Sequence, residues 1–253
     1  MILGMKNRDG VYMSSDRQIT SSDDTKEDSQ KIFRLGRSGL VGTAGSAGIC
    51  GEMVDLLRHD FSKDFDDGLS YNKKYKIINR LAETVSHHKK RVKDTDTDDD
   101  GSLSEFGALI GFLDRDHKRA DIISFNSLGI LHSIEGHDVL LQGAAHSMCL
   151  GFVNQISRGN KISGMCRDEI AFISYKILRE IEEVSTCVGN GVDIWSISNS
   201  GKVSNYSESE LKKFDDMYNR FKTDETEMYQ RLYSMLRDET GYGKNKKRQG
   251  TKR

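Results

Sequence analysis

The chain contains no proline and a single tryptophan. An average chain carries about 5% proline, so proline-rich linkers and cis-prolyl turns drop out of consideration; the absence itself has no functional reading. Long apolar runs are missing too: none approaches the ~20 residues that span a bilayer. The opening MILGMKNRDG lacks the basic-then-apolar order of a signal segment. A cytoplasmic protein with no membrane partner is the expectation. Nor is there an excess of one charge. A net −1 at pH 7 provides no global field for nucleic acid, and none is expected as a partner. Cys50, Cys149, Cys166 and Cys187 lie far apart without paired spacing. That argues against a zinc site or disulfide framework, and they read as small buried hydrophobes.

What remains is 36% hydrophobic and 30% charged, enough for a buried core under a well-solvated surface. Short strand-like runs open the chain: Gly10–Ser15 after an Asn-Arg-Asp-Gly turn, then Lys31–Leu35 and Leu40–Ala44. A helix follows with Met53, Val54, Leu56, Leu57 and Phe61 at helical spacing. A second carries Tyr75, Ile78, Leu81, Ala82 and Val85, and closes on the basic run from His87 to Arg91, which suits a helix C-terminus. The His87–His88 pair reads as part of a solvated face. Four further strands are expected at 108–113, 120–125, 129–134 and 139–142, then helices over 147–155 and 167–186. The longer one presents Ile170, Ile173, Ile177, Ile181 and Val184 on one side. His146 stands at the start of the shorter one, as a cap. Val192–Ile197 is a final strand. Two strand clusters, each followed by a helical pair, predict an α+β fold: a four-layer αββα sandwich of two antiparallel sheets with helices outside. This domain covers residues 1–203. Over 204–240 an amphipathic helical extension is predicted, broken near Thr223 and packing on its own domain. Residues 241–253 form a basic, solvated tail.

One stretch, DTDTDDDGSLSE from Asp94 to Glu105, has the ligand order of an EF-hand calcium loop. Asp96, Asp98, Asp100 and the Ser102 carbonyl would be the calcium ligands, with Ser104 acting through water. The twelfth position is Gly107 rather than a bidentate Glu, Glu105 comes two residues early, and a strand rather than a helix follows. An acidic, solvated loop with no cofactor is the expectation; a calcium-responsive binding module is the alternative.

Several segments together resemble the β-type subunits of the proteasome core particle, in the N-terminal-nucleophile hydrolase family. LGMKNRDGVYMSSDRQIT from Leu3 to Thr20 is similar to the family's opening hairpin. KIFRL from Lys31 and GTAGSAG from Gly42, leading into a helix, resemble its second segment. GAAHSMCLG from Gly143 is similar to the family's Gly-Ser-Gly-Ser helix start. ALIGFLD from Ala108, FNSLG from Phe125 and GNGVDIWSI from Gly189 match its middle and closing strands. The likeness runs in register over residues 1–203, and an α-type subunit would carry an extra helix before the first strand.

The resemblance implies threonine-peptidase chemistry, in which an N-terminal threonine hydroxyl attacks the scissile carbonyl. Its own amine, with an ordinary pKa near ~8, relays the proton. It assigns the supporting carboxylate to Asp16, the lysine to Lys31 and the oxyanion-hole glycine to Gly45. Elsewhere this chain departs from the pattern. Met1 falls at the family's second position, so the threonine would stand one place upstream. Ala144 replaces a serine, Ser185 a carboxylate and Val188 a second serine. With those groups gone, Asp16 and Lys31 read as a buried ion pair that fixes the sheet. The expectation is a non-catalytic structural subunit of a homo- or hetero-oligomeric ring of proteasome-like subunits. The alternative is an active threonine endopeptidase whose nucleophile lies upstream of Met1.

Overall fold

A computed structural model of the chain describes residues 1–20, 26–94, 105–128, 131–133, 139–143, 145–157 and 161–240. Strands β1 (Ile2–Lys6) and β2 (Gly10–Asp16) form the opening hairpin, paired Ile2 to Ser15. Asn7 closes the turn by accepting the N–H groups of Asp9 and Gly10, both at 2.9 Å. A short hairpin of β3 (Gln18–Thr20) and β4 (Lys26–Asp28) precedes β5 (Ile32–Leu35) and β6 (Gly39–Gly45). Helices α1 (Ala47–Asp66) and α2 (Tyr71–Asp94) follow. The next strands are β7 (Phe106–Asp114), β8 (Arg119–Asn126), β9 (Leu131–Ser133) and β10 (Val139–Gln142). Helices α3 (His146–Ser157) and α4 (Arg167–Val184) then lead to β11 (Val192–Ser198), β12 (Val203–Asn205) and α5 (Glu208–Thr240).

The ladders give two five-stranded antiparallel sheets, ordered β10-β1-β2-β11-β12 and β5-β6-β7-β8-β9. Period-two alternation decides which side chain faces which layer. On β7, Ala108, Ile110 and Phe112 point to α1 and α2, where Met53, Leu57, Phe61, Leu81 and Val85 meet them. Leu109 points the other way, into a second core shared by Ile2, Val11, Met13 and Ile197 of one sheet and Ile32, Leu40 and Ile122 of the other. Helices α3 and α4 cover the outer face of the first sheet. The four layers are thus helix, sheet, sheet, helix, as the strand and helix order predicts.

The sheets approach closely where Gly4 faces β7 and β8. A Cβ on Gly4 would lie 2.5 Å from Ile122 Cδ1 and 3.0 Å from Leu109 Cδ1. Gly4→Val is expected to cost about 1–3 kcal/mol through overpacking, read as a lowered urea midpoint. An unchanged midpoint would mean that the sheets part freely there.

The structure corrects several expectations. On α2 the buried residues are Ile77, Leu81, Val85 and His88, while Tyr75 is exposed, its ring tilted 49° to that of Tyr71. The helix is turned so that the polar imidazole goes inward, where His88 Nδ1 lies 3.4 Å from Glu52 on α1. Val184, expected on the buried side of α4, is exposed because the helix ends there. Cys166 and Cys187 are exposed and only Cys149 is buried; all four cysteines are free thiols. Cys166 sits just before α4, where its N–H donates to Glu169 at 2.7 Å. Helix α5 runs through Thr223 without a break. The Thr223 hydroxyl donates back to the Asn219 carbonyl at 2.9 Å, so the threonine is accommodated within the helix.

The chain divides into two compact units, Met1–Tyr206 and Ser207–Arg253. Among the described residues, no helix is long and apolar enough to cross a membrane.

Candidate functional site

The β1–β2 register carries one step past Ile2 and Ser15 to set Met1 beside Asp16. Lys31 immediately precedes β5, and its carbonyl accepts the Thr43 N–H at 3.0 Å, which fixes it against β6. These two placements converge. The Met1 amine donates to Asp16 Oδ1 at 2.5 Å, and Lys31 Nζ lies 2.9 Å from both Asp16 oxygens. The Gln18 N–H (3.2 Å) and the Gly189 N–H (3.4 Å) complete the carboxylate's partners on Oδ2. Asp16 is 1% exposed and Lys31 11%, so water screens the pair little. Burial pushes the Met1 amine down to about 6; Lys31 adds to this, and Asp16 opposes it. The charge pair of the site is therefore Lys31 with Asp16, and the amine is a hydrogen-bond donor to it.

Gly45 ends β6 with φ +119, and a Cβ there would sit 2.4 Å from the Glu105 carbonyl. Only glycine takes that bend without strain. The same carbonyl receives the Ser46 N–H at 3.0 Å, so the turn from β6 into α1 is locked to the start of β7. Gly143 (φ +100) abuts the chain's first residue, since its Cβ would lie 3.2 Å from Met1 Cα. Ala145 holds φ 63 just before α3, a left-handed conformation that costs a residue with a Cβ about 1–2 kcal/mol.

A cleft of about 1210 Å³ opens on this corner, and Met1, Lys31, Thr43, Gly45 and Cys50 are among its lining residues. The structure thus brings together Asp16, Lys31, Gly45 and Met1. Ser185 follows the last turn of α4 and donates its N–H to the Ile181 carbonyl at 2.8 Å; its hydroxyl accepts the Cys187 N–H at 3.3 Å. Val188 is buried and has no polar side-chain atom. Ala144 and the acidic loop with Asp96, Asp98, Asp100 and Ser102 lie outside the described residues. His146 is exposed at the first position of α3.

Two features of the cleft escape sequence reasoning. Cys50, in the first turn of α1, lines it, its thiol pushed up to about 11 by burial, with Thr43 and Lys31 pulling the other way. A thiol so protonated is a weak nucleophile. Gln18 donates through Nε2 to the Thr186 carbonyl at 2.7 Å, tying β3 to the loop after α4. No spacing in the sequence signals that bond.

A family model described as proteasome subunit matches residues 1–197. Among solved structures, Anbu (ancestral beta-subunit) from Yersinia bercovieri superposes with a TM-score of 0.70 at 13% identity. The match covers 90% of this chain and 96% of that one. An Anbu mutant from Hyphomicrobium sp. strain MC1 matches with a TM-score of 0.68 at 13% identity, over the same shares of the two chains. At such identity these two establish the fold alone. Among curated protein sequences none matches.

Proposed function

The chain belongs to the proteasome subunit family, and from that membership we infer a cytoplasmic β-type subunit without catalysis, a structural member of a ring of like subunits in protein degradation. One observation carries the reading. The carboxylate and lysine that would sustain a nucleophile are in place at 2.9 Å, while the positions that would orient it have lost their groups. Val188 has no polar side-chain atom, and the Ser185 hydroxyl is engaged by its own loop. Catalysis by an amine relay needs a proton path through such partners. Without them the buried pair becomes a fixed electrostatic clamp on Met1.

An active threonine peptidase with its nucleophile upstream of Met1 is the second reading, favoured by the large cleft that opens beside Lys31 and Gly45. One experiment separates the two. The protein is isolated from its native source, its N-terminus is read by mass spectrometry, and it is treated with a peptide epoxyketone. No adduct and no release of fluorophore from short peptide substrates are expected. An adduct on an N-terminal threonine would replace the first reading with the second. Ring membership is read separately by size-exclusion chromatography with light scattering, alone and with candidate partner subunits. A strict monomer that captures no proteasome-like subunit from its source cell removes the structural role.

A further inference from the structure

Apart from the cleft, the unit Met1–Tyr206 holds a pocket of about 150 Å³ beside β11 and β12. Arg17, Gln30, Asp193, Trp195 and Asn205 are among its lining residues, and Gln30 also lines the cleft. Alternation along β11 turns Asp193, Trp195 and Ile197 to one side. Ile197 enters the core between the sheets and Trp195 packs partly against that core, so the row reaches the pocket at Asp193. The β11–β12 register pairs Trp195 with Asn205, which sets the Asn205 amide beside the indole. Gln30 Nε2 donates to the Ile32 carbonyl at 2.5 Å, so its amide oxygen is left to accept.

Asp193 is the unsatisfied group of this pocket. It is partly buried, and among the described residues no hydrogen bond or ion pair reaches its carboxylate. Burial pushes its pKa up; Arg17 opposes this and Asp28 adds to it. Arg17 is already engaged, its Nε 2.8 Å from Asp28 Oδ1. Of these three charges, the Asp193 carboxylate is the one left without a counter-ion. Arg167 is held on the Tyr206 ring, 4.9 Å from its centroid, and donates to its hydroxyl at 3.0 Å. A partly buried carboxylate with no donor is costly, and a ligand bringing donors and positive charge would remove that cost. A guanidinium suits the remaining walls: its fork of N–H groups matches a carboxylate, and its flat face stacks on an indole. The amide oxygens of Gln30 and Asn205 can accept its other donors. An anionic ligand would be repelled by Asp193 and would find Arg17 paired. One carboxylate is too few for calcium, which takes about 6–8 oxygen ligands.

We propose that this pocket binds a guanidinium group, with Asp193 as its carboxylate partner and Trp195 as its stacking face. The site does not depend on either reading of the cleft.

Trp195 is the chain's single tryptophan, so its emission reports on this pocket alone. The full chain is titrated with methylguanidinium chloride, below denaturing concentrations and at constant ionic strength. A saturable change in tryptophan emission is expected, and calorimetry of the same titration registers binding that leaves emission unchanged. Asp193→Asn keeps the side chain's size and removes its charge; it should bind about tenfold more weakly, with circular dichroism confirming the fold. Sodium acetate should give no saturable response. A parallel titration with an acetylated, amidated Gly-Arg-Gly peptide distinguishes the source of the group. Tighter binding of the peptide supports the site and assigns it to an arginine side chain of a polypeptide. Tighter binding of methylguanidinium supports the site and assigns it to a free small molecule. Neither emission nor heat responding to either probe overturns the proposal, as does unweakened binding by Asp193→Asn. Saturable binding of acetate also overturns it, because Arg17 would then govern the pocket.

Discussion

Replacing Asp16 with alanine should lower the melting temperature by roughly 10 °C, the largest stability effect expected of any single surface or site substitution. Removing one member of a buried charge pair typically costs about 3–5 kcal/mol. In a chain of this size each kilocalorie is worth about 2–4 °C. The cost arises from what stays behind. Lys31, 11% exposed, would face the former carboxylate site with no counter-charge, and the Met1 amine, Gln18 N–H and Gly189 N–H would each lose an acceptor. A second variant isolates the charge term. Removing both partners, Asp16→Leu with Lys31→Met, takes away the stranded ammonium and should recover much of the loss. Thermal melts of the three proteins check this. If Asp16→Ala melts within about 2 °C of wild type, less than a kilocalorie, the clamp has no structural weight.

The second large effect belongs to Asp114, at the far end of β7. Its buried carboxylate receives Lys74 Nζ at 2.9 Å, His117 Nδ1 at 3.1 Å and the N–H groups of Asp116 and His117 at 2.9 and 3.1 Å. It thereby ties the first turn of α2 to the β7–β8 turn. Burial pushes its pKa up, but Lys74 and His117 together outweigh burial and hold it down at about 2. Because the folded value lies below the unfolded one, near ~3.9, the unfolded chain binds more protons between the two. The stabilisation is therefore complete above about pH 4 and fades as pH falls through about 2. Asp114→Asn should cost about 2 kcal/mol at pH 7, kept modest by the exposure of His117. The gap to wild type should close as pH approaches 2. Parallel melts from pH 7 to pH 2 check it; a constant gap would assign the loss to packing rather than charge.

The sequence states the architecture where apolar alternation is strong and bounded by turn residues. LIGFL and DIISF are read correctly because their two faces meet two different cores. It is silent on β3 and β4, where Lys26–Asp28 has no apolar residue and pairs antiparallel with Gln18–Thr20. It misleads on α2, because Tyr75 is hydrophobic on any scale, yet the helix buries His88 toward Glu52 and Arg91 instead. Asp16 and Lys31 are separated by fifteen positions, so only the family likeness joins them before the folded chain does. The Gln18–Thr186 bond spans 168 positions and has no trace in either composition or spacing. Contacts made by backbone carbonyls across loops, as here, are invisible to side-chain patterns.

The strand order has a consequence for how this molecule can meet others. The long strands, β2, β6, β7, β8 and β11, are interior, and among the described residues the margins of the two five-stranded sheets are β5, β9, β10 and β12, each three or four residues long. A margin that short gives an incoming strand few hydrogen bonds to gain. Recruitment by strand addition, the usual route from a β-rich fold to fibrous aggregates, is thereby disfavoured at the described margins. Contacts between molecules are channelled to helix faces and loop rims, where side chains rather than backbone decide the partner.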